Sequence, residues 1–341
     1  MKNRLFGICL VIIVVVAPAA IAQVPEYSSP TIYGRTGVTS FNMPNGSSIS
    51  STTISIDDAA DVALDVNFVG GTGNPGLFYA SNESGIVSGD IVFNASDIIF
   101  GEPSTNGQQQ AILTVGFDDD LFLYDANLAT TTPINFPLGV TGTSGLTLDA
   151  AERIGGRLSF GNDGDAYGFF AVQASGFPAL DVYAAGSGLD ASSPYSFLFT
   201  PDMSRPSANK PPRIAAKVSL NASFDFEEIR IFDSGSTSTL IAVETETDPA
   251  SPFSEFVTNS ITISDDGTKI AFQANDTSGI SGIYRYDDFT GTTILIASVE
   301  NQLVNTLDFF SPDVNNDEGV LLRPGLLTIV KQTPDIGVNI N

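Results

Sequence analysis

Clusters of acidic side chains are the residues of this chain best suited to chemistry. One cluster places Asp313, Asn315 and Asp317 at alternate positions, as the calcium loops of EF-hand proteins place their first oxygen ligands. The pattern then breaks, because Glu318 stands where such a loop needs glycine and Pro324 where it needs a bidentate glutamate. The sequence leaves two interpretations open here: a calcium site, or a turn whose side chains bond their own backbone. Calcium is the one cofactor considered.

Two further acidic clusters lie at residues 118–120 and at Asp163 with Asp165. Clustered carboxylates bind calcium, but acidic residues also crowd surface loops when they outnumber lysine and arginine by 39 to 14. We interpret both clusters as solvated loops. The formal net charge of −25 also repels nucleic-acid phosphates and anionic lipids, so neither is an expected partner.

Pairs of carboxylates carry out glycoside hydrolysis when they stand at a fixed separation across a sugar site. With 39 acidic residues the sequence does not single out a pair, and there is no tryptophan to serve as a sugar platform. The phenylalanines Phe122, Phe169, Phe170 and Phe272 fall at strand positions where core packing explains them. No catalytic residue is therefore assigned.

Three arginines stand out because basic residues are scarce: Arg213, Arg230 and Arg285. An arginine on an open face would clamp an anionic ligand through two parallel hydrogen bonds. We expect these three to pair with neighbouring carboxylates instead, given the excess of acid.

The first 22 residues have the parts of a secretory signal peptide. Lys2 and Arg4 precede an apolar run over residues 5–16, and residues 20–22 (Ala-Ile-Ala) form a small-residue cleavage site. We expect cleavage before Gln23 and an exported chain without a membrane span; an uncleaved anchor is the alternative. The only cysteine leaves with this segment and the chain has no histidine, which excludes Cys/His zinc sites and histidine-dependent nucleophiles.

The elements that would position these side chains repeat along the chain. Within residues 263–284, an Asp-Asp-Gly turn leads to a strand in which Ile270, Phe272 and Ala274 share one face, and then to a loop and a second strand opening at Gly282. Weaker copies give six lead positions, each the apolar or small residue before the turn: Ile56, Thr105, Leu148, Met203, Ile263 and Val314. The mean period of about 52 residues is typical of propellers and solenoids.

This repeat predicts an all-β fold, a β-propeller of six blades with seven as the alternative. The expected domains are the signal peptide at 1–22, an N-terminal extension with a ring-closing strand at 23–45, and the propeller at 46–341. In two copies a glycine follows the lead position by 20 residues, as Gly76 and Gly168, and we expect each to open a strand. The strand over 292–297 is apolar on both faces, as in a sheet covered by neighbours.

The repeat also resembles known families. Residues 56–64 and 314–322 resemble the unit of bacterial exported tandem-repeat proteins with an Asn-x-x-Gly-x-x-Ala-Phe motif, and the aromatic stretches 253–256 and 309–312 are similar to the segment before that motif. Residues 264–272 look equally like the blade motif of TolB-like and WD-like propellers. The resemblance implies an exported propeller and carries over no catalytic residue.

The function expected from these features is a binding or scaffolding module at the cell surface or in the periplasm, with a protein or glycan partner at the mouth of the propeller. Two alternatives remain: an enzyme acting on extracellular polysaccharide through Asp, Glu, Tyr or Arg, and a structural repeat protein of an envelope or matrix. Because positions shared among copies build the blade, we expect function where the copies differ, as in the loop 275–281.

Overall fold

The computed structural model describes most of the chain after the N-terminal segment. The described residues are 33–35, 41–57, 59–83, 85–97, 99–116, 120–206, 209–220 and 226–298, with the backbone of 313–314, 319–321, 329–332 and 336–339. They form antiparallel β-sheets and one 3-10 turn, η1 (Gly161–Asp163). Within these ranges no helix has the length and apolar character needed to cross a membrane.

Within the described residues, twenty-five strands make six sheets. The first sheet holds β1 (Ser48–Ile56), β2 (Val62–Phe68), β3 (Gly76–Glu83) and β4 (Ile86–Asn94). The second holds β5 (Ile99–Thr105), β6 (Gln110–Val115), β7 (Asp120–Asp125) and β8 (Thr130–Ile134). The third holds β9 (Gly142–Leu148), β10 (Arg153–Ser159), β11 (Asp165–Ala171) and β12 (Asp181–Ala185).

The other three sheets follow the same plan. The fourth holds β13 (Tyr195–Leu198), β14 (Asp202–Met203), β15 (Ile214–Leu220), β16 (Glu227–Asp233) and β17 (Thr237–Val243). The fifth holds β18 (Phe253–Ile263), β19 (Lys269–Asp276), β20 (Ser281–Asp287) and β21 (Thr292–Ser298). The sixth holds β22 (Asp313–Val314), β23 (Gly319–Leu321), β24 (Ile329–Gln332) and β25 (Ile336–Asn339).

The sheets are arranged as the blades of a β-propeller. In each sheet the strands pair in chain order, with β13 and β14 sharing the first place of the fourth sheet. The first strands of successive sheets contact one another, from β1 and β5 through β9, β14 and β18 to β22. These first strands therefore surround a common axis, and the later strands of each sheet lie farther out. Six sheets equal the number of predicted units; the blade count of the whole ring stays a prediction.

Every lead position ends the first strand of its sheet, which confirms the repeat frame. We call the following connection the lead turn, and the side of the propeller where these turns lie the lead-turn face. In five sheets the next residue accepts a hydrogen bond from a backbone amide of its own turn: Asp57, Asn106, Asp149, Ser204 and Ser264. Short oxygen-bearing side chains at this place satisfy amides that a tight turn leaves unpaired.

The core consists of the interfaces between neighbouring sheets. Second strands are buried on both faces, as in β6 and β19, so their side chains alternate between two neighbouring blades. Phe272 is fully buried in the cluster between the fourth and fifth sheets, and Phe170 in the cluster between the second and third. Phe122 and Phe169 pack against similar clusters, so core packing explains all four phenylalanines named above.

Three details of the predicted unit are wrong. Gly168 lies in the middle of β11 rather than opening a strand, mainly because five residues connect β10 to β11 where seven connect β2 to β3. β21 is the outermost strand of its sheet, and the side chains of Ile294 and Leu295 are 37% and 47% exposed. Only one of the two turn aspartates satisfies a local amide: Asp266 accepts a hydrogen bond from the Thr268 amide at 2.9 Å, whereas Asp265 accepts one from Arg205 of the fourth sheet.

The predicted ring-closing strand lies mostly outside the described residues. Arg35 and Phe41 form an isolated antiparallel bridge with each other. The described strands of the sixth sheet all come from the C-terminal segment, two of them after Leu322. The closing role of that segment stays a prediction.

Candidate functional site

Arg205 fills the propeller axis at the lead-turn face. It belongs to the lead turn of the fourth sheet, which runs from Ser204 to Arg213 and is longer than the others. Its Nε donates to Asp265 Oδ1 at 2.6 Å, and its Nη1 donates to the carbonyl oxygens of Thr105 at 3.2 Å and Ile56 at 3.4 Å. Because two of these partners are lead residues, one side chain links the fourth sheet to the first, second and fifth.

Asp202 joins three sheets beside that axis. Its Oδ2 accepts hydrogen bonds from Thr262 Oγ1 at 2.7 Å and from the Ile263 amide at 2.9 Å, and Thr147 Oγ1 donates to Oδ1 at 3.4 Å. Burial raises the pKa of Asp202, although these hydrogen bonds and Arg205 act in the opposite direction. The lead-turn end of the axis is thus held by polar contacts between blades.

A second set of polar residues occupies one structural position in five sheets. Each stands on the second strand, three residues after the partner of the lead residue: Asp65, Thr114, Arg157, Lys217 and Gln273. Arg157 and Lys217 both donate to a carbonyl oxygen in the first strand of the next sheet, namely Leu198 at 2.8 Å and Phe256 at 3.2 Å. The sequence reasoning missed this set; a polar residue at the same register of five copies was the available signal.

Lys217 forms the floor of a cavity of about 610 Å³ between the fourth and fifth sheets. The cavity opens on the face opposite the lead turns, where β16 and β18 begin and β17 ends. Its lining is Lys217, Glu227, Glu244, Glu246, Ser254, Glu255, Phe256 and Thr258. Four carboxylates and one ammonium group make it acidic.

The Lys217 ammonium is fully engaged. It donates to Glu227 Oε2 at 2.7 Å, to the Phe256 carbonyl oxygen at 3.2 Å and to Thr258 Oγ1 at 3.1 Å. The ring of Phe199 lies beneath it, with its centroid 3.9 Å from Nζ, in a cation–π contact. The side chain is only 4% exposed, so the ion pair with Glu227 is buried.

Glu244 completes the buried part of the site. Its Oε1 accepts a hydrogen bond from the Phe256 amide at 2.7 Å, and Glu244 lines the cavity together with Glu227. Burial raises the pKa of Glu244 to about 7, and the charge of Glu227 adds to the rise against the opposing effects of the Phe256 amide and the Lys217 ammonium.

The mouth of the cavity is formed by exposed side chains. Glu246 and Glu255 both lie there in contact with solvent. Glu255 accepts a hydrogen bond from Asn275 Nδ2 at 2.8 Å. The loop 275–281, where function was expected, is a tight turn in which Asp276 accepts hydrogen bonds from the amides of Ser278 and Ile280. The cavity therefore lies beside this loop rather than in it.

The acidic clusters singled out from the sequence lie elsewhere. Asp313 is the first residue of β22, while Asn315 and Asp317 lie outside the described residues, so the calcium prediction is untested. Asp120 begins β7 and is exposed. Asp165 accepts a hydrogen bond from Ser159 at 2.5 Å, and Asp163 ends η1. In the part of the chain that the structure describes, no group of three or more acidic, cysteine or histidine residues could hold a metal ion.

The arginines pair with carboxylates, as expected for two of the three. Arg213 bonds Asp233 at 2.6 Å and Asp288 at 2.8 Å, and Arg230 bonds Glu228 at 2.6 Å. Arg285 is buried in β20. Lys217 is the only cation in the cavity lining, so none of these three arginines forms a cationic clamp there.

Comparison with known proteins places the chain among propellers by fold. No protein-family model matches the chain, and no curated protein matches it. Among solved structures it is similar to TolB from Acinetobacter baumannii, at 15% identity and a TM-score of 0.49, over 78% of this chain and 59% of that chain. It is similar to an oligogalacturonate lyase in complex with manganese, at 8% identity and a TM-score of 0.50, over 74% and 65% of the two chains.

A third similar structure is the β-propeller domain of the Trilobed protease from Pyrococcus furiosus, at 11% identity and a TM-score of 0.43, over 86% of this chain and 92% of that chain. The chain spans less than two thirds of the TolB and lyase chains it matches. At these identities the likeness concerns the fold alone, and the arrangement of the sheets in this chain is that of a β-propeller.

Proposed function

We propose that this protein is an exported, non-catalytic propeller that binds its ligand on the face opposite the lead turns, at the cavity between the fourth and fifth sheets. One observation carries the proposal: Arg205 fills the axis at one face, while an acidic cavity of about 610 Å³ opens at the other. A volume of this size lies within the usual range of small-ligand sites.

The composition of the cavity favours binding over catalysis. Glu227 forms a buried ion pair with Lys217 at 2.7 Å, so this carboxylate is already engaged and does not stand free across a sugar site as a glycosidase acid does. Lys217 is occupied by three hydrogen-bonding partners and so is not a free base. The buried groups are fixed by their mutual contacts, and the exposed carboxylates of Glu246 and Glu255 are the groups that an entering ligand would meet first.

A polysaccharide-active enzyme is the second candidate, and the perturbed Glu244 favours it. A carboxyl group whose pKa is raised to about 7 in an open cavity is suited to general acid catalysis. The similar lyase is named for oligogalacturonate, a polyanion, which the four carboxylates of this cavity would repel. The enzyme would therefore act on a neutral polysaccharide.

The test is a binding screen with a variant that blocks the cavity. The protein is applied to arrays of glycans and peptides as wild type, as Thr258→Trp, which places an indole over the mouth, and as Leu138→Trp. Leu138 is 73% exposed in the β8–β9 connection on the same face, so it controls for an added indole. We expect ligands that wild type and Leu138→Trp bind and Thr258→Trp does not. Equal binding by all three would contradict the proposed site.

The enzyme candidate has its own arm. Neutral polysaccharides are incubated with wild type and with Glu244→Gln, and new reducing or unsaturated ends are measured. The binding proposal expects no turnover by either protein. Turnover by wild type that Glu244→Gln abolishes would replace the binding proposal by the enzyme.

Export remains part of the proposal and rests on the sequence of residues 1–22. Expression with this leader in a bacterial host should yield a chain that begins at Gln23 outside the cytoplasm, as determined by mass spectrometry of the fractionated protein. A chain retaining its leader would contradict cleavage.

A further inference from the structure

Building on the proposed function, we propose that the cavity binds the ammonium or guanidinium group of a flexible basic ligand beside the buried carboxyl group of Glu244. The ligand class is a polyamine or a lysine- or arginine-bearing peptide segment.

The buried groups of the cavity carry more negative than positive charge. Glu227 and Glu244 are 7% and 5% exposed, and a single buried cation, Lys217, lies beside them. Buried carboxylates require a cation, a proton or several amide donors as compensation. Lys217 bonds Glu227, whereas Glu244 accepts one backbone amide, that of Phe256. Burial of Glu244 therefore favours the binding of a second cation in the cavity.

The cavity has room for a cationic group beside the buried carboxylates. The cavity of about 610 Å³ borders both buried carboxyl groups, so a cation can approach them from the open side. Glu246 and Glu255 stand on that side and are exposed. An entering ammonium group would pass between two solvated carboxylates and end beside the buried pair, with attraction along the whole path.

The lining of the cavity does not suit other ligand classes. An anion would meet four carboxylates and a lysine whose hydrogen bonds are already made. An apolar ligand would find one aromatic side chain in the lining, Phe256, and that side chain is 2% exposed. The polar lining is complementary to a cation.

The protonation of Glu244 provides a specific readout of ligand binding in the cavity. The charged groups facing Glu244 are Lys217, Glu227, Glu246 and Glu255. A cation placed among them stabilises the ionised form of Glu244, so near neutral pH its pKa falls and a fraction of a proton leaves as the ligand binds. A ligand held only at the rim would release none.

The experiment is isothermal titration calorimetry of the full chain at pH 7 in phosphate and in Tris, whose ionisation enthalpies differ. The probes are spermidine and a tri-lysine peptide, with the same peptide acetylated on its lysines as the neutral control. We expect binding of at least one cationic probe, at least tenfold weaker binding of the acetylated peptide, and a difference in enthalpy between buffers that reports proton release. Preference between the two cationic probes identifies the source of the cation.

Variants separate the buried pair from general charge. Glu244→Gln keeps the hydrogen bond from the Phe256 amide and mimics the protonated carboxyl group, so proton release should disappear. The double variant Glu246→Gln/Glu255→Gln changes only exposed residues and should weaken binding of the cationic probe about five- to tenfold. Asp120→Asn, an exposed carboxylate at the start of β7 on the same face, should leave affinity and proton release unchanged.

The outcomes distinguish the two proposals. Equal affinity for the acetylated peptide, absence of proton release, or equal weakening by Asp120→Asn would overturn the cationic-ligand inference. If a neutral ligand from the array binds in a manner blocked by Thr258→Trp, the proposed function survives and only the ligand class is wrong. If neither the arrays nor the cationic probes reveal a ligand at the cavity, both proposals fail.

Discussion

The fourth and fifth sheets follow one building plan and use it differently. In the fifth, the lead turn is short and Gly267, at φ +76°, closes it. In the fourth, the longer turn carries Arg205 across the axis. At one shared position of the second strand the fifth sheet has Gln273, which bonds Ser281 of its own sheet, and the fourth has Lys217, which bonds the next sheet.

The difference shows where a repeat protein places special chemistry. Apolar strand positions and turn caps recur because every blade needs them, whereas a buried charge needs partners that only one interface supplies. Lys217 is tolerated because Glu227, Thr258 and the Phe256 carbonyl all face it. The three predictions below test this contrast, from the largest expected effect to the smallest.

Replacing Lys217 by methionine should lower the free energy of unfolding by about 3–5 kcal/mol, because it leaves the buried Glu227 without its cation. Gln273→Met, at the same position one sheet later, should cost about 1 kcal/mol, since it removes a neutral hydrogen bond. Urea denaturation measures both values. Equal losses would show that the two sheets do not differ in the way argued here.

Arg205→Ala should lower the free energy of unfolding by about 2 kcal/mol, because it removes charge-assisted hydrogen bonds that span four sheets. Lys210→Ala serves as the control: its side chain is exposed in the same lead turn and should change stability by no more than about 0.5 kcal/mol. Thermal and urea unfolding give the comparison. A loss no larger than that of the control would mean that Arg205 merely occupies the axis.

The pH dependence of stability should depend on Glu244. Its pKa is about 7 in the folded protein against an ordinary value of 4.5, so between these values the folded state binds more protons than the unfolded state. Stability should therefore fall as pH rises from about 4.5 to about 7, and then level off. In Glu244→Gln this part of the decline should be missing from the melting temperatures, while Asp120→Asn should keep it. Identical pH profiles of wild type and Glu244→Gln would contradict the assignment.

Much of the fold followed from short-range features. The lead positions ended six first strands because an apolar residue, an oxygen-bearing cap and a following alternation are local signals. Thr105, the lead position of one of the weaker copies, also ends the first strand of its sheet. The position of a strand within its sheet was harder to predict. β21 is apolar on both faces, as a covered strand would be, yet it lies at the outer edge of its sheet, and the residue pattern alone does not distinguish the two cases.

The site could not be assigned in the same way. Glu227 and Glu244 are 17 positions apart among 39 acidic residues, and nothing local marks either as buried. The sequence pointed to residues 275–281, whose Asn275 touches the site without forming its floor. Arg205 was not singled out, because its partners lie between 60 and 149 positions away along the chain.

The sequence by itself determined the all-β class, the period, the turn chemistry and the excess of acid, because each depends on neighbouring residues or on composition. Only the tertiary structure decided which end of the axis Arg205 fills and that Lys217, Glu227 and Glu244 meet at one cavity. Contacts between blades join residues far apart in the chain, and their free energy depends on burial and on the distance between charges, which no local pattern encodes.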